Sequence, residues 1–209
     1  MKARVLVFAK APVAGRAKTR LIPALGAEGA ARLQEALLED ALRRARAADP
    51  PLLELWGTGD DPDGLLADAA RRHGAVLREQ CAGDLGVRMC TALAAATADG
   101  ESAVILGTDA PGLGGDAIRE ADRLLAGHDA VLGPAGDGGY VLLGLHRAVD
   151  SLFSGIDWGS AHVLTGTRAR MRELGWRHAE LATGWDVDRP EDLERVAALG
   201  GHWPAVLGR

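Results

Sequence analysis

The 209-residue chain predicts an α/β fold built on a three-layer, mainly parallel sheet. Three observations support this. Short continuous apolar runs such as RVLVFA (residues 4–9) and SAVIL (102–106) fit strands buried on both faces. Helical stretches, among them one in which Leu33, Leu37, Leu38 and Leu42 recur at helical spacing, alternate with these runs along most of the chain, as in βαβ units. No repeat, low-complexity linker or composition break divides the chain, so residues 1–209 are expected to form one domain.

The elements follow in order. Strand 4–9 opens onto the polar loop KAPVAGRAKTRLIPALG. Residues 27–48 read as a helix, because Leu33, Leu37, Leu38 and Leu42 recur at helical spacing in an Ala/Glu/Arg-rich context that Pro50–Pro51 ends. A strand over 52–56, a helix over 60–73 opened by an Asp/Pro cluster, and a strand over 75–78 come next. Asp84 is placed to cap a helix over 85–98. Strand 102–106 leads to helix 116–126, and strand 130–133 to strand 140–145 across PAGDGG. The chain continues with a short helix and turn at 148–156 around Phe153, a helix over 162–174, a strand over 178–181, and a helix over 190–199 with Pro190 in its first turn.

Composition narrows the function. The chain is 47% hydrophobic and 25% charged, which is the composition of a folded protein and not of a disordered one. A net charge of −5 without a basic tract argues against nucleic-acid binding. The longest apolar runs fall far short of the ~20 residues of a membrane span. Two cysteines make no disulfide framework, and CxxC and HExxH spacings are absent, so a reducing cytoplasm is the expected compartment. The 24 basic residues divide into 21 Arg and only three Lys, at Lys2, Lys10 and Lys18.

In open α/β sheets ligands bind outside the carboxyl ends of the strands, and three loops there carry unusual chemistry. In residues 10–20 (KAPVAGRAKTR), Lys10, Arg16, Lys18 and Arg20 crowd together without an acid. Their mutual repulsion would be relieved by a polyanion, and Gly15 lets backbone N–H groups approach phosphate oxygens. The Walker pattern GxxxxGK[ST] is absent, and the structural alternative is a basic surface loop before a helix. In GTDAP, Asp109 follows a buried strand directly, where a carboxylate needs a partner or a metal, or else caps the following helix. Gly112, Gly114 and Ala117 match GxGxxA, but Asp109 and Pro111 intervene where a tight turn should be.

The third region pairs GPAGDGGY (133–140) with DVDRPEDL (186–193). Asp137 lies between glycines, and Asp186 and Asp188 share one face of an extended segment. Such oxygen ligands suit a hard cation such as Mg²⁺, while a capping role toward the Pro190 helix is the alternative for Asp188. In QCAGDLGVRM, Gln80 and Arg88 are candidate base or ribose contacts or, equally, structural residues. Cys81 and Cys90 read as small buried residues. Trp158 and Trp185, each beside an Asp, are candidates for substrate stacking.

Taken together, FAKAPVAGRAKTRL, QCAGDLGVRM, GTDAPGL, GPAGDGGYVLLGL and DVDRPEDL, in this order, resemble a bacterial family of glycosyltransferase-A-like proteins. These are labelled nucleotide-diphospho-sugar transferases, some are linked to arsenosugar biosynthesis, and they are related to 2-phospho-L-lactate and molybdenum-cofactor guanylyltransferases. The resemblance implies a Rossmann-like GT-A fold with a mixed, mainly parallel sheet. It implies that the loop of Lys10, Arg16, Lys18 and Arg20 holds nucleotide phosphates, that Asp109 with Asp186 or Asp188 binds metal, and that Asp137 lies at the acceptor. Ala110 stands where many relatives have Cys, and Gly159–Ser160 replaces a more usual Ser–Thr, which bears on acceptor preference.

The function expected is a Mg²⁺- or Mn²⁺-dependent transferase acting on a nucleotide or nucleotide-sugar and a small-molecule acceptor. Lys18, Asp109 and Asp137 form the catalytic set. Phosphate contacts come from Lys10, Gly15, Arg16, Lys18 and Arg20, and further nucleotide contacts from Gln80 and Arg88. In nucleotidyl transfer an acceptor phosphate attacks the α-phosphorus of a nucleoside triphosphate and pyrophosphate leaves. In glycosyl transfer a nucleoside diphosphate departs, and Asp137 positions or deprotonates the acceptor hydroxyl. The alternative is a non-catalytic nucleotide-binding module with the same fold.

Overall fold

The computed structural model describes residues 1–208. The described strands are β1 (Arg4–Lys10), β2 (Leu53–Thr58), β3 (Val76–Glu79), β4 (Ala103–Gly107), β5 (Ala130–Pro134), β6 (Tyr140–Leu145) and β7 (His178–Glu180). The helices are α1 (Ile22–Ala47), α2 (Leu65–His73), α3 (Leu85–Thr97), α4 (Gly115–Leu125), α5 (Asp150–Phe153), α6 (Val163–Glu173), α7 (Asp192–Ala198) and α8 (Trp203–Val206). The strands form one sheet in the order β3-β2-β1-β4-β6-β5-β7. All its pairs are parallel except those of β6, which runs antiparallel to both β4 and β5. This is the mixed, mainly parallel sheet that the resemblance implies.

Side-chain alternation along the strands makes three layers. Val5, Val7, Leu55, Val104 and Leu106 pack beneath α1, α2 and α4. Leu6, Trp56, Ile105, Leu132 and Leu143 pack beneath α3, α5 and α6. A third cluster joins Leu21, Leu33 and Leu37 to Val187, Leu193, Val196 and Trp203. It seats the C-terminal segment on α1, and Val187 alone, fully buried, contributes roughly 1.5–3 kcal/mol to that seating.

The chain runs outward from β1 to β2 and β3, then returns to lay β4 on the other flank of β1. The loops after β1 and β4 therefore diverge, and the crevice between them is where doubly wound sheets bind ligands.

Several boundaries differ from the periodicity reading. Helix α1 starts five residues early, at Ile22, because its first turn precedes a kink at Gly26, whose φ of +70° is cheap only for glycine. Helix α2 starts at Leu65 because Asp61, not Asp60, accepts the N–H groups of Leu65 (2.9 Å) and Leu66 (3.0 Å). Asp84 caps α3 as expected, accepting from the Val87 N–H at 2.9 Å. Asp188 pairs with Arg20 and α7 has no side-chain cap; Asp192, its first residue, instead accepts the N–H groups of Asp188 (3.0 Å) and Arg189 (2.8 Å) ahead of the helix. No helix separates β5 from β6: PAGDGG is a hairpin turn closed by the Ala135 N–H on the Gly139 carbonyl at 3.0 Å. Among the described residues, no helix is long and apolar enough to cross a membrane.

Candidate functional site

The crevice at the carboxyl ends of β1 and β4 is a cleft of about 600 Å³. It is lined by Lys10, Arg16, Lys18 and Arg20, by Gln80 and Arg88, and by Asp109, Asp186 and Asp188. Nine of the residues singled out in the sequence thus meet in one place. Gly15 stands apart: its φ is +77° and an added Cβ would meet no atom within 4 Å. Asp137 lines the adjoining cavity of about 330 Å³, a largely apolar space bounded by Tyr140 and Trp158, which also reaches Asp186 and Asp188.

The four cations of the first loop are not equivalent. Ala17 and Leu21 are fully buried, and Lys18 between them takes a left-handed conformation (φ +47°) that turns its side chain inward. Its Nζ lies 2.8 Å from Asp109 Oδ1 and donates to the Val187 carbonyl at 2.5 Å, leaving the side chain 6% exposed. The Arg16 and Arg20 side chains are 61% and 70% exposed and pair with Asp60 and Asp188. Lys10 ends β1 and faces solvent.

Asp109 is held from several sides. The Thr108 hydroxyl donates to its Oδ1 at 3.0 Å, and Gln34 Nε2 reaches both Thr108 Oγ1 and the Lys10 carbonyl at 3.3 Å. The Val187 N–H donates to the Asp109 carbonyl at 2.8 Å. Behind the turn, Arg44 of α1 donates to the carbonyls of Ala110 (2.9 Å) and Leu113, and its Nε lies 2.7 Å from Asp40 Oδ2.

The acidic side chains gather across the cleft. Burial raises the Asp186 pKa, and the negative charges of Asp137, Asp109 and Asp188 push it further in the same direction. Asp137 sits in the hairpin turn and accepts the Gly139 N–H at 2.9 Å. Beside it Gly138 has φ +92°, and a Cβ there would come within 2.1 Å of the Ala161 carbonyl oxygen. Among the described residues, no three His, Cys, Asp or Glu side chains are grouped so that they could hold a metal ion.

At the opposite wall Gln80 is buried and spent on structure. Its Nε2 donates to the Trp56 carbonyl at 2.8 Å and its Oε1 accepts from Arg88 Nη1 at 3.1 Å. It orients Arg88, which faces the cleft. Trp158 stacks on Phe153 (6.5 Å, 24°), meets Tyr140 edge-on (6.5 Å, 82°) and lies over Gly86. Trp185 is engaged by its own neighbours: its Nε1 would be 2.9 Å from a Cβ at Gly112, and Arg195 sits 4.2 Å over its ring. The glycines of GxGxxA therefore make room for an indole and start α4. Cys90 is buried, and burial together with Asp150 raises its thiol to about 11. Cys81 is only half-buried and donates to Thr91 Oγ1 at 3.4 Å.

Sequence reasoning passed over Gln34, Asp40 and Arg44, which brace the site from α1. Their signal was present: they fall among Leu33, Leu37, Leu38, Ala41 and Ala45, on the buried side of the helix. A polar residue there needs a partner.

Residues 41–160 match the family described as "Uncharacterized protein conserved in bacteria (DUF2064)". A candidate nucleotide-diphospho-sugar transferase from Desulfovibrio desulfuricans G20 is 30% identical, over 100% of this chain and 95% of that one, with a TM-score of 0.87. A Mycobacterium tuberculosis protein crystallised with manganese is 22% identical over 93% of this chain and 97% of that one, with a TM-score of 0.52. The 4-diphosphocytidyl-2C-methyl-D-erythritol synthase of Anaerococcus prevotii is 12% identical over 100% and 97%, with a TM-score of 0.63. No curated protein matches the chain.

Proposed function

The chain belongs to this bacterial DUF2064 family, and from that premise we propose that it is a Mg²⁺- or Mn²⁺-dependent transferase. It takes a nucleotide or nucleotide-sugar as donor and passes the nucleotidyl group or the sugar to a small acceptor. One observation carries this reading: a cleft at the switch point of the sheet sets Lys10, Arg16 and Arg20 opposite Asp109, Asp186 and Asp188. Residues 1–209 act as one unit in it.

Asp109, Asp186 and Asp188 line the cleft and are oxygen ligands of the kind a hard divalent cation takes, although their side chains are not grouped into a preformed site. Several carboxylates gather where burial and like charge already disfavour Asp186 ionisation, and a cation would relieve both. Asp109 and Asp188, with Asp186, would hold it. Once bound, the metal would neutralise charge on the donor phosphates and the leaving group. The exposed Lys10, Arg16 and Arg20 take up the remaining phosphate charge. Asp137 accepts a hydrogen bond or a proton from the acceptor hydroxyl in the adjoining cavity, which Trp158 and Tyr140 help to line. The fold shared with a cytidylyltransferase, and with a protein that binds manganese, supports nucleotides and Mn²⁺ as the first probes.

The test is a thermal-shift screen of nucleoside triphosphates and diphosphate sugars with and without Mn²⁺, followed by product analysis. Metal-dependent stabilisation by a nucleotide, lost in Asp109→Asn, is the expected outcome. Indifference to every nucleotide refutes the reading. Stabilisation by diphosphate sugars alone assigns glycosyl transfer. A second reading, a nucleotide-binding module without turnover, draws on one observation: Asp109 and Asp188 are already paired with Lys18 and Arg20. It predicts binding without product.

A further inference from the structure

We propose that Lys18 is a positioning residue: it fastens the acidic segment 186–188 to Asp109 and is not a ligand of the donor phosphates. The role concerns the carboxylate cluster of the proposed transferase site and rests on that reading.

A phosphate-binding lysine must offer its ammonium to the cleft, as Arg16 and Arg20 offer their guanidinium groups. Lys18 offers little, because its side chain is 6% exposed and its ammonium already has two acceptors. To serve a phosphate it would have to leave Asp109 and the Val187 carbonyl, leaving a half-buried carboxylate and a buried carbonyl without it.

Lys18 Nζ joins the Asp109 side chain to the Val187 carbonyl, while the Val187 N–H joins the Asp109 backbone carbonyl at 2.8 Å. Three segments distant in sequence close into one ring. Val187 is fully buried between Asp186 and Asp188, so fixing Val187 fixes where both carboxylates project. Asp109, Asp186 and Asp188 line one cleft, and Lys18 is the inward-facing cation beside Asp109. Its left-handed backbone at φ +47° is an unfavourable conformation for a lysine, which the two contacts offset.

The experiment uses the full chain as Lys18→Met, with Lys10→Met and Arg16→Met for comparison, and two separate probes. Mn²⁺ alone, followed by electron paramagnetic resonance, reports on the carboxylates. Inorganic tripolyphosphate in a chelator reports on the exposed cations. Simple removal of a positive charge beside Asp109 would tighten Mn²⁺. Loss of positioning weakens it, and we expect about tenfold or more, with tripolyphosphate affinity changed by less than about twofold. Lys10→Met and Arg16→Met give the converse pattern. Amide hydrogen exchange supplies a metal-independent readout: the Val187 N–H of Lys18→Met should exchange about tenfold faster or more.

A tenfold loss of tripolyphosphate binding in Lys18→Met, or unchanged or tighter Mn²⁺ binding, overturns the proposal. Should Lys18→Met fail to fold, Lys18→Arg keeps the charge with altered reach and is read the same way. If the wild-type chain binds no Mn²⁺, the transferase reading falls, while exchange at Val187 and tripolyphosphate binding still decide the role of Lys18. General destabilisation would not separate the two probes.

Discussion

Asp40→Asn tests how the buried framework holds the site. The Asp40 and Arg44 side chains are 3% and 7% exposed on α1, and removing one partner of a buried ion pair costs about 3–5 kcal/mol. Burial lowers the Arg44 pKa, and the neighbouring Asp40 carboxylate opposes that shift. After the substitution Arg44 still has the carbonyls of Asp40 (3.2 Å), Ala110 (2.9 Å) and Leu113 as acceptors. The loss should therefore fall near the lower bound, about 3 kcal/mol. For a chain of this size that lowers the melting temperature by roughly 6–12 °C. Urea denaturation of the wild type, Asp40→Asn, Arg44→Met and the double variant measures it. In the Arg44→Met background the buried guanidinium is gone and the Asp40 carboxylate keeps only Arg43, so adding Asp40→Asn should cost less than about 1 kcal/mol. An equal loss in both backgrounds, or a loss below about 1 kcal/mol in the single variant, refutes the argument.

Three further outcomes follow from local geometry. Asp84→Ala removes the side-chain cap of α3 and should lower stability by about 1 kcal/mol in the same assay. Cys90, with a thiol raised to about 11 by burial and Asp150, is roughly one part in a thousand thiolate at pH 8. Thiol reagents should therefore modify Cys81 first, with Cys90 labelling rising as pH climbs toward 11 and faster in Asp150→Asn. Equal labelling of both at pH 8 contradicts this. Gly138→Ala forces a Cβ toward the Ala161 carbonyl oxygen at φ +92° and should cost about 1–3 kcal/mol. A crystal structure of that variant should show the turn of Asp137 displaced.

Much of this was legible residue by residue. Continuous apolar runs mark β1, β2 and β4 because strands covered on both faces need no polar alternation. Asp84 marks a helix start because its carboxylate acts on N–H groups three residues away. The loops after β1 and β4 were readable as a candidate site because strand-end position and charge crowding are both local facts. The start of α1 was not, since the leucine spacing begins only after the kink at Gly26. Nor was the choice of Asp61 over Asp60, which depends on where the chain turns.

Partners were harder still. Lys18 looked like one of four equivalent cations, and what separates it is an acceptor 169 positions away. Trp185 looked available for stacking until Gly112 and Arg195 met it across the fold.

The sequence by itself determined the α/β class, the clustering of cations after the first strand and the carboxylates that answer them. Hydrophobic period, capping and local charge act over a few residues, so they can be read along the chain. Only the tertiary structure decided that β6 runs antiparallel between β4 and β5, that Asp137 opens onto a separate cavity, and that Lys18 faces inward while Arg16 and Arg20 stay exposed. Those outcomes depend on which distant surfaces exclude water together, and burial turns one lysine inward while its neighbours stay at the surface.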